Sequence, residues 1–127
     1  MTEKTMDGKQ TRGELGELER QVIALGNLVE NLFAESVMLI IERREPEGVS
    51  LRAEDCRAHE RVIEIDHLCL ELLARSELTE HQVRFVWSVG RIATDLKRMA
   101  DESLRIGQAA MRARSEERRV GKECATG

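Results

Sequence analysis

The chain is nearly bare of aromatic residues, with one Trp, two Phe and no Tyr among 127 positions. Pleated, half-buried strands draw on aromatic and β-branched side chains, so this scarcity argues against a sheet protein. A single proline, Pro46, leaves long stretches in which nothing forbids a helix. The three cysteines, Cys56, Cys69 and Cys124, have neither CxxC metal spacing nor the density of a disulfide scaffold. Cys69 falls on an apolar stripe and reads as a buried free thiol. Positive charge is not in excess either: the net charge of −4 gives no footprint for nucleic acid. No unbroken apolar run approaches the roughly 20 residues that cross a bilayer. The N-terminal "MTEKTMDGKQ" lacks a signal core. A cytoplasmic, soluble protein without membrane insertion is expected.

What is present is charge, 35% of all residues, laid over helical periodicity. Residues 1–10 are polar and read as a disordered N-terminus. Thr11 and Glu14 have capping-box spacing, which predicts a helix start there. Leu15, Leu18, Val22, Leu25, Val29 and Leu32 then alternate steps of three and four, the spacing of one buried seam. Phe33, Val37, Ile40 and Ile41 are expected to extend that burial toward Arg44. "EPEGVS" ends the helix: Pro46 breaks the ladder, Gly48 allows a turn and Ser50 can cap the second helix. A second seam runs through Ala58, Val62, Ile65, Cys69 and Leu72. Thr79 and Gln82 repeat the capping-box spacing and open a third helix, with an expected seam of Phe85, Val89, Ile92, Leu96, Met99 and Ile106. Ser103 is its one polar interruption. Three helices with short loops predict an all-α, antiparallel three-helix bundle over 11–113. The segment 114–127 has no apolar period. Its stretch from Arg114 to Cys124 reads like the in-frame translation of a common DNA-sequencing adapter, so a non-native or disordered tail is expected.

With the helices placed, a resemblance emerges. The segment "LLARSELTEHQVRFVWSVGRIATDLKRMADESLRI" resembles the PhoU family where one helix ends and the next carries "DLR…I..DLERIGD". The matching pieces are "LLA" at 72–74, "VRF" at 83–85, "RIATDL" at 91–96, Arg98 and Asp101. "LERQVIALGNLVENLFAESVMLI" and "IDHLCLELLA" are similar to the first two helices of that family's repeat. The resemblance implies a regulator of phosphate transport and homeostasis. Its implied partners are the phosphate ABC transporter ATPase and a sensor histidine kinase. Family members carry two tandem three-helix repeats, whereas this length accommodates one. A C-terminally truncated chain is therefore expected, completed by a missing second repeat or by dimer or other homo-oligomer formation.

The same resemblance raises the question of metal. PhoU repeats carry acid-x-x-x-acid pairs, and residues four apart share a helix face, so two carboxylates can converge on one cation. Asp101 matches the second acid of the third-helix pair, but Lys97 stands where the first acid is usual. On the second helix Asp55 matches an acidic position, His59 stands where Asp or Asn is usual, Val62 replaces a frequent Glu, and Asp66 comes after it. Asp55, His59, Asp66 and Asp101 are thus the candidate metal ligands, a donor set suited to Fe, Zn or Mn. The competing reading makes Lys97–Asp101 and Arg98–Glu102 solvated ion pairs pointing away from the seam. His67 and His81 read as surface residues. Trp87 lies off the seam, and exposure there would favour a partner interface.

No nucleophile–base constellation stands out, and no catalytic residue is assigned. A non-enzymatic regulator working by protein contact is the leading expectation. The alternatives are a small helical enzyme of chorismate-mutase type, for which Arg61, Arg84, Arg91 and Arg98 would have to converge, and a generic helical-bundle adaptor.

Overall fold

The computed structural model describes the backbone of residues 2–42, 51–75 and 77–126, with side chains for 8–42, 51–75 and 77–121. Three helices account for it: α1, Thr2–Ile41; α2, Leu51–Leu73; and α3, Glu80–Thr126. The "EPEGVS" turn lies outside the described residues, as do the side chains of Lys122 and Cys124. All three helix pairs are in contact. The Glu14–Arg75 ion pair, at 2.7 Å, ties the early part of α1 to the end of α2. The Cys69 thiol donates to the Val86 carbonyl between α2 and α3. Ser36 and Leu51 both face Gly107. These contacts make α2 antiparallel to its neighbours and α1 parallel to α3. The fold is an all-α three-helix bundle.

The capping boxes fare differently. At α3 the box forms in full: the Thr79 amide donates to Gln82 Oε1 (2.9 Å) and the Gln82 amide to Thr79 Oγ1 (3.2 Å). At α1 it does not, because the helix begins at Thr2 and the backbone around Thr11 is already inside the ladder. Thr11 is buried instead, its hydroxyl unpartnered among the described residues. The N-terminal residues expected to be disordered are helical for a simple reason. Glu, Lys, Met and Gln are good helix formers, and extending an existing helix costs far less than nucleating one. The same holds beyond Ala113, where α3 continues to Thr126 instead of fraying. Residues 115–121 there are exposed, as expected of a stretch without apolar period.

The core confirms two seams and corrects the third. Leu18, Leu25, Val29 and Leu32 of α1 are buried, and so are Ala58, Val62, Ile65, Cys69 and Leu72 of α2. Each full burial of a Leu or Ile stabilises by about 1.5–3 kcal/mol. In α3 the buried positions are Val86, Val89, Ala93, Ala100 and Ser103, while Ile92 and Met99 are about half exposed (48% and 54%). Small residues face inward because α3 lies close against both neighbours. At Gly107 even a Cβ would collide with the Leu51 side chain and crowd the Ser36 hydroxyl. The buried hydroxyls turn back on their own helices, Ser36 to the Leu32 carbonyl and Ser103 to the Met99 carbonyl.

The end of α1 needs the same correction. Ser36 and Leu39 face the core, and Phe33, Ile40 and Ile41 are exposed. Part of Gly8–Ile41 is apolar enough, at a mean hydropathy of 1.4, to pass for a membrane span by length and composition. Glu30 and Glu35 interrupt it, and its inner stripe is spent on the bundle core.

Candidate functional site

The α2–α3 seam carries the chemistry-bearing side chains. Asp55 and Asp101 come within hydrogen-bonding reach of each other across it, with His59 and Lys97 nearby. One antiparallel register explains all four positions. Moving four residues forward on α2 and four back on α3 leads from the Asp55–Asp101 level to the His59–Lys97 level. Asp55, Lys97 and Asp101 are half-buried and His59 is exposed. Burial, and after it the Asp101 carboxylate, push the Asp55 carboxyl above its ordinary range, while His59 and Lys97 pull the other way. Lys97 and Asp101 thus face α2. The shift of the α3 seam toward Ala93 and Ala100 turns this side of the helix inward.

Asp66 does not belong to this group. It lies eleven residues beyond Asp55 on one continuous helix, about 16 Å along the axis. It lines a shallow groove with Trp87, Arg91, Thr94, Asp95 and Arg98. There, burial and the nearby Asp66 carboxylate raise the Cys69 thiol to about 11. The four expected ligands therefore split into Asp55, His59 and Asp101 at one level and Asp66 at another. Among the described residues no three His, Cys, Asp or Glu side chains gather closely enough to hold a metal ion.

The expected ion pairs on α3 rearrange as well. Glu102 pairs with Arg105 at 2.7 Å rather than with Arg98. The described ion pairs include none between Lys97 and Asp101. Arg91 and Arg98 line one groove, but the four arginines do not converge as a chorismate-mutase site requires. Arg61 reaches Gln21 on α1 (3.4 Å), Arg84 pairs with Glu80 (2.8 Å), and Arg91 lies over the Trp87 ring at 4.7 Å from its centroid. Sequence reasoning passes over the Trp87–Arg91 stack, although the i,i+4 spacing of an indole and a guanidinium is a readable signal. Trp87 is 56% exposed, which meets the condition set for a partner interface.

The model of the PhoU domain matches residues 22–110, which take in the buried seams of α2 and α3 and that of α1 from Leu25 onward. The chain belongs to the PhoU family. It is similar to the phosphate-specific transport system accessory protein PhoU homolog of Pseudomonas putida, 28% identical over 103 residues, which cover 81% of this chain and 40% of that protein. The homolog of the same description from Pseudomonas aeruginosa is 25% identical over 81% of this chain and 43% of its own length. The phosphate-specific transport system accessory protein PhoU of Serratia marcescens is 22% identical over 80% of this chain and 42% of its own length. The chain thus spans about two fifths of the length of the curated relatives it matches. No solved structure matches it at a significant level.

Proposed function

We propose that this chain is a PhoU-like regulator of phosphate uptake and phosphate-regulon signalling. It acts in the cytoplasm by contact with the phosphate ABC transporter ATPase and the sensor histidine kinase. The observation that carries the reading is the match to the PhoU domain across all three helices, supported by relatives named as accessory proteins of a phosphate-specific transport system. Those names also support a role without catalysis of its own.

The shape of the surface agrees. Trp87 with Arg91 stacked upon it, in a groove shared with exposed Leu73 and one helical turn from exposed Val83, gives the α2–α3 face the Trp-and-Arg composition of interface hot spots. We assign docking of the transporter or kinase to that face. The α1–α3 face is different: Phe33 and Ile40 of α1, with Ile92 and Met99 of α3, are exposed and apolar. Ile40 and Ile106 share a shallow groove with Ala110 and Ala113. A second three-helix repeat or a second copy of the chain is the cover proposed for it.

A pull-down with the tagged chain from phosphate-replete bacterial extract tests the reading. Recovery of the transporter ATPase or the sensor kinase supports it, and binding to neither sinks it.

A further inference from the structure

The α1–α3 face carries two apolar stripes, and no described part of the chain lies over them. On α3, Ile92, Met99 and Ile106 stand seven residues apart. On α1, Phe33 and Ile40 do the same, a spacing that keeps side chains on one side of a helix. Phe33, Ile40, Ile92 and Met99 are each about half exposed. The flanks of the two stripes differ in sign. Beyond the α1 stripe, on the side away from α3, come exposed Glu19 and Glu30. Beyond the α3 stripe, on the side away from α1, come Arg91, Arg98 and Arg105, exposed and again at steps of seven. Asp95 and Glu102 stand among those arginines, but Glu102 is taken by Arg105 at 2.7 Å, and the flank stays net positive.

We propose that a second copy of this chain covers the α1–α3 face. A two-fold axis parallel to the helices lays α3 of each copy along α1 of the other, in a self-complementary contact. Gly107 is level with Ser36 and Leu39. Nine residues back from there stand Arg98 on α3 and 27–30 on α1, so Arg98 and Glu30 share a level. Such an axis keeps levels and exchanges the two helices. It sets stripe on stripe and Arg98 of one copy beside Glu30 of the other, twice over. Turning one copy end over end instead lays the arginine flank of α3 on itself, where like charges repel. From Ile92 to Ala113 the face runs about 30 Å, and two helices make it about 20 Å wide. That is about 1,200 Å² over both copies, the lower edge of specific interfaces. The inference rests on the reading of this face as a covered one and chooses among its covers. It leaves the docking of other proteins on the α2–α3 face untouched.

Sedimentation equilibrium of the full chain, over a broad micromolar concentration range, tests the proposal. A reversible monomer–dimer equilibrium with a micromolar Kd is expected for an interface of this size. Glu30→Arg is expected to weaken it about tenfold, because one substitution sets two like-charged pairs against each other in a two-fold contact. Arg98→Glu should weaken it to a similar degree. The double variant Glu30→Arg/Arg98→Glu exchanges the charges and should return Kd to within about threefold of wild type. Phe33→Glu, on the apolar stripe, should leave only monomer. Circular dichroism in dilute solution checks that each variant keeps its helices, and the charge exchange decides the matter even where Phe33→Glu does not fold. A wild-type chain that stays monomeric throughout would overturn the proposal and leave a different polypeptide as the cover. So would a dimer indifferent to Glu30→Arg, or a double variant no tighter than the single ones.

Discussion

Helices α2 and α3 differ in the size of the residues they turn inward. α2 buries Val62, Ile65 and Leu72 and leaves Ile63, Leu70 and Leu73 of its large apolar side chains exposed. α3 buries Val86 and Val89 near its start but Ala93, Ala100 and Ser103 further on, admits Gly107 at its tightest approach, and displays large residues that include Trp87, Ile92 and Met99. The difference teaches that apolar size alone does not mark the inner face of a helix. Where a helix lies close against two neighbours, the inner face is written in small residues, and the larger ones become available for contact. α3 is therefore two-sided, with its inner face holding the bundle together and its outer faces carrying large apolar side chains in the open.

Substitutions can break or sharpen this contrast. The largest loss is expected for Ile65→Ala, which empties a fully buried site of α2 and should cost about 2–5 kcal/mol in denaturant unfolding. Gly107→Leu comes next. It forces a side chain into space already held by Leu51 and Ser36, and chemical denaturation should show a loss of about 1–3 kcal/mol despite the better helix propensity of Leu. Equal stability of this variant and wild type would show that the tight approach is not real.

Asp55→Asn is expected to act with the opposite sign. The carboxyl has a folded-state pKa above its unfolded value, so the folded chain binds that proton more tightly. The resulting stabilisation is present at acid pH and is lost as pH rises through the folded-state pKa. The Asn variant should thus melt above wild type at neutral pH, with the gap closing as pH falls toward about 3. Thermal melts across that range check it. Smallest of all is Met99→Ala, expected within about 0.5 kcal/mol of wild type because the side chain is half in water already.

Much of the fold is legible in the sequence, and the reasons are local. The α2 seam is readable because Ala58, Val62, Ile65, Cys69 and Leu72 are both the buried residues and the ones at three-four spacing. The Thr79–Gln82 box is readable because its two hydrogen bonds depend only on residues three apart. The α3 seam coincides with the one that periodicity picks at Val89 and lies one position away at Val86 instead of Phe85, Ala93 instead of Ile92 and Ala100 instead of Met99. Hydrophobic periodicity weighs Ile above Ala, and helix–helix distance is a property of the assembled bundle. The outward side chains at the end of α1 mislead in the same way.

At the candidate site, Asp55, His59 and Asp101 can be named from their positions, but their separation from Asp66 cannot be weighed without counting helix rise along α2. That Lys97 faces α2 is hidden by the shift in the α3 seam. Helix ends are the least readable feature. α1 and α3 extend well past the apolar pattern, because propagation needs only helix-forming residues.

The contrast between the two helices comes to a point at Trp87, the one large outward residue of α3 stacked beneath a guanidinium. The most direct measurement is the affinity of Trp87→Ala for the purified transporter ATPase or sensor kinase, taken beside its melting temperature. An unchanged melting temperature and an affinity reduced by about 30-fold are expected, as for a hot-spot residue. A variant that binds as tightly as wild type, or that unfolds like a core mutant, would contradict it.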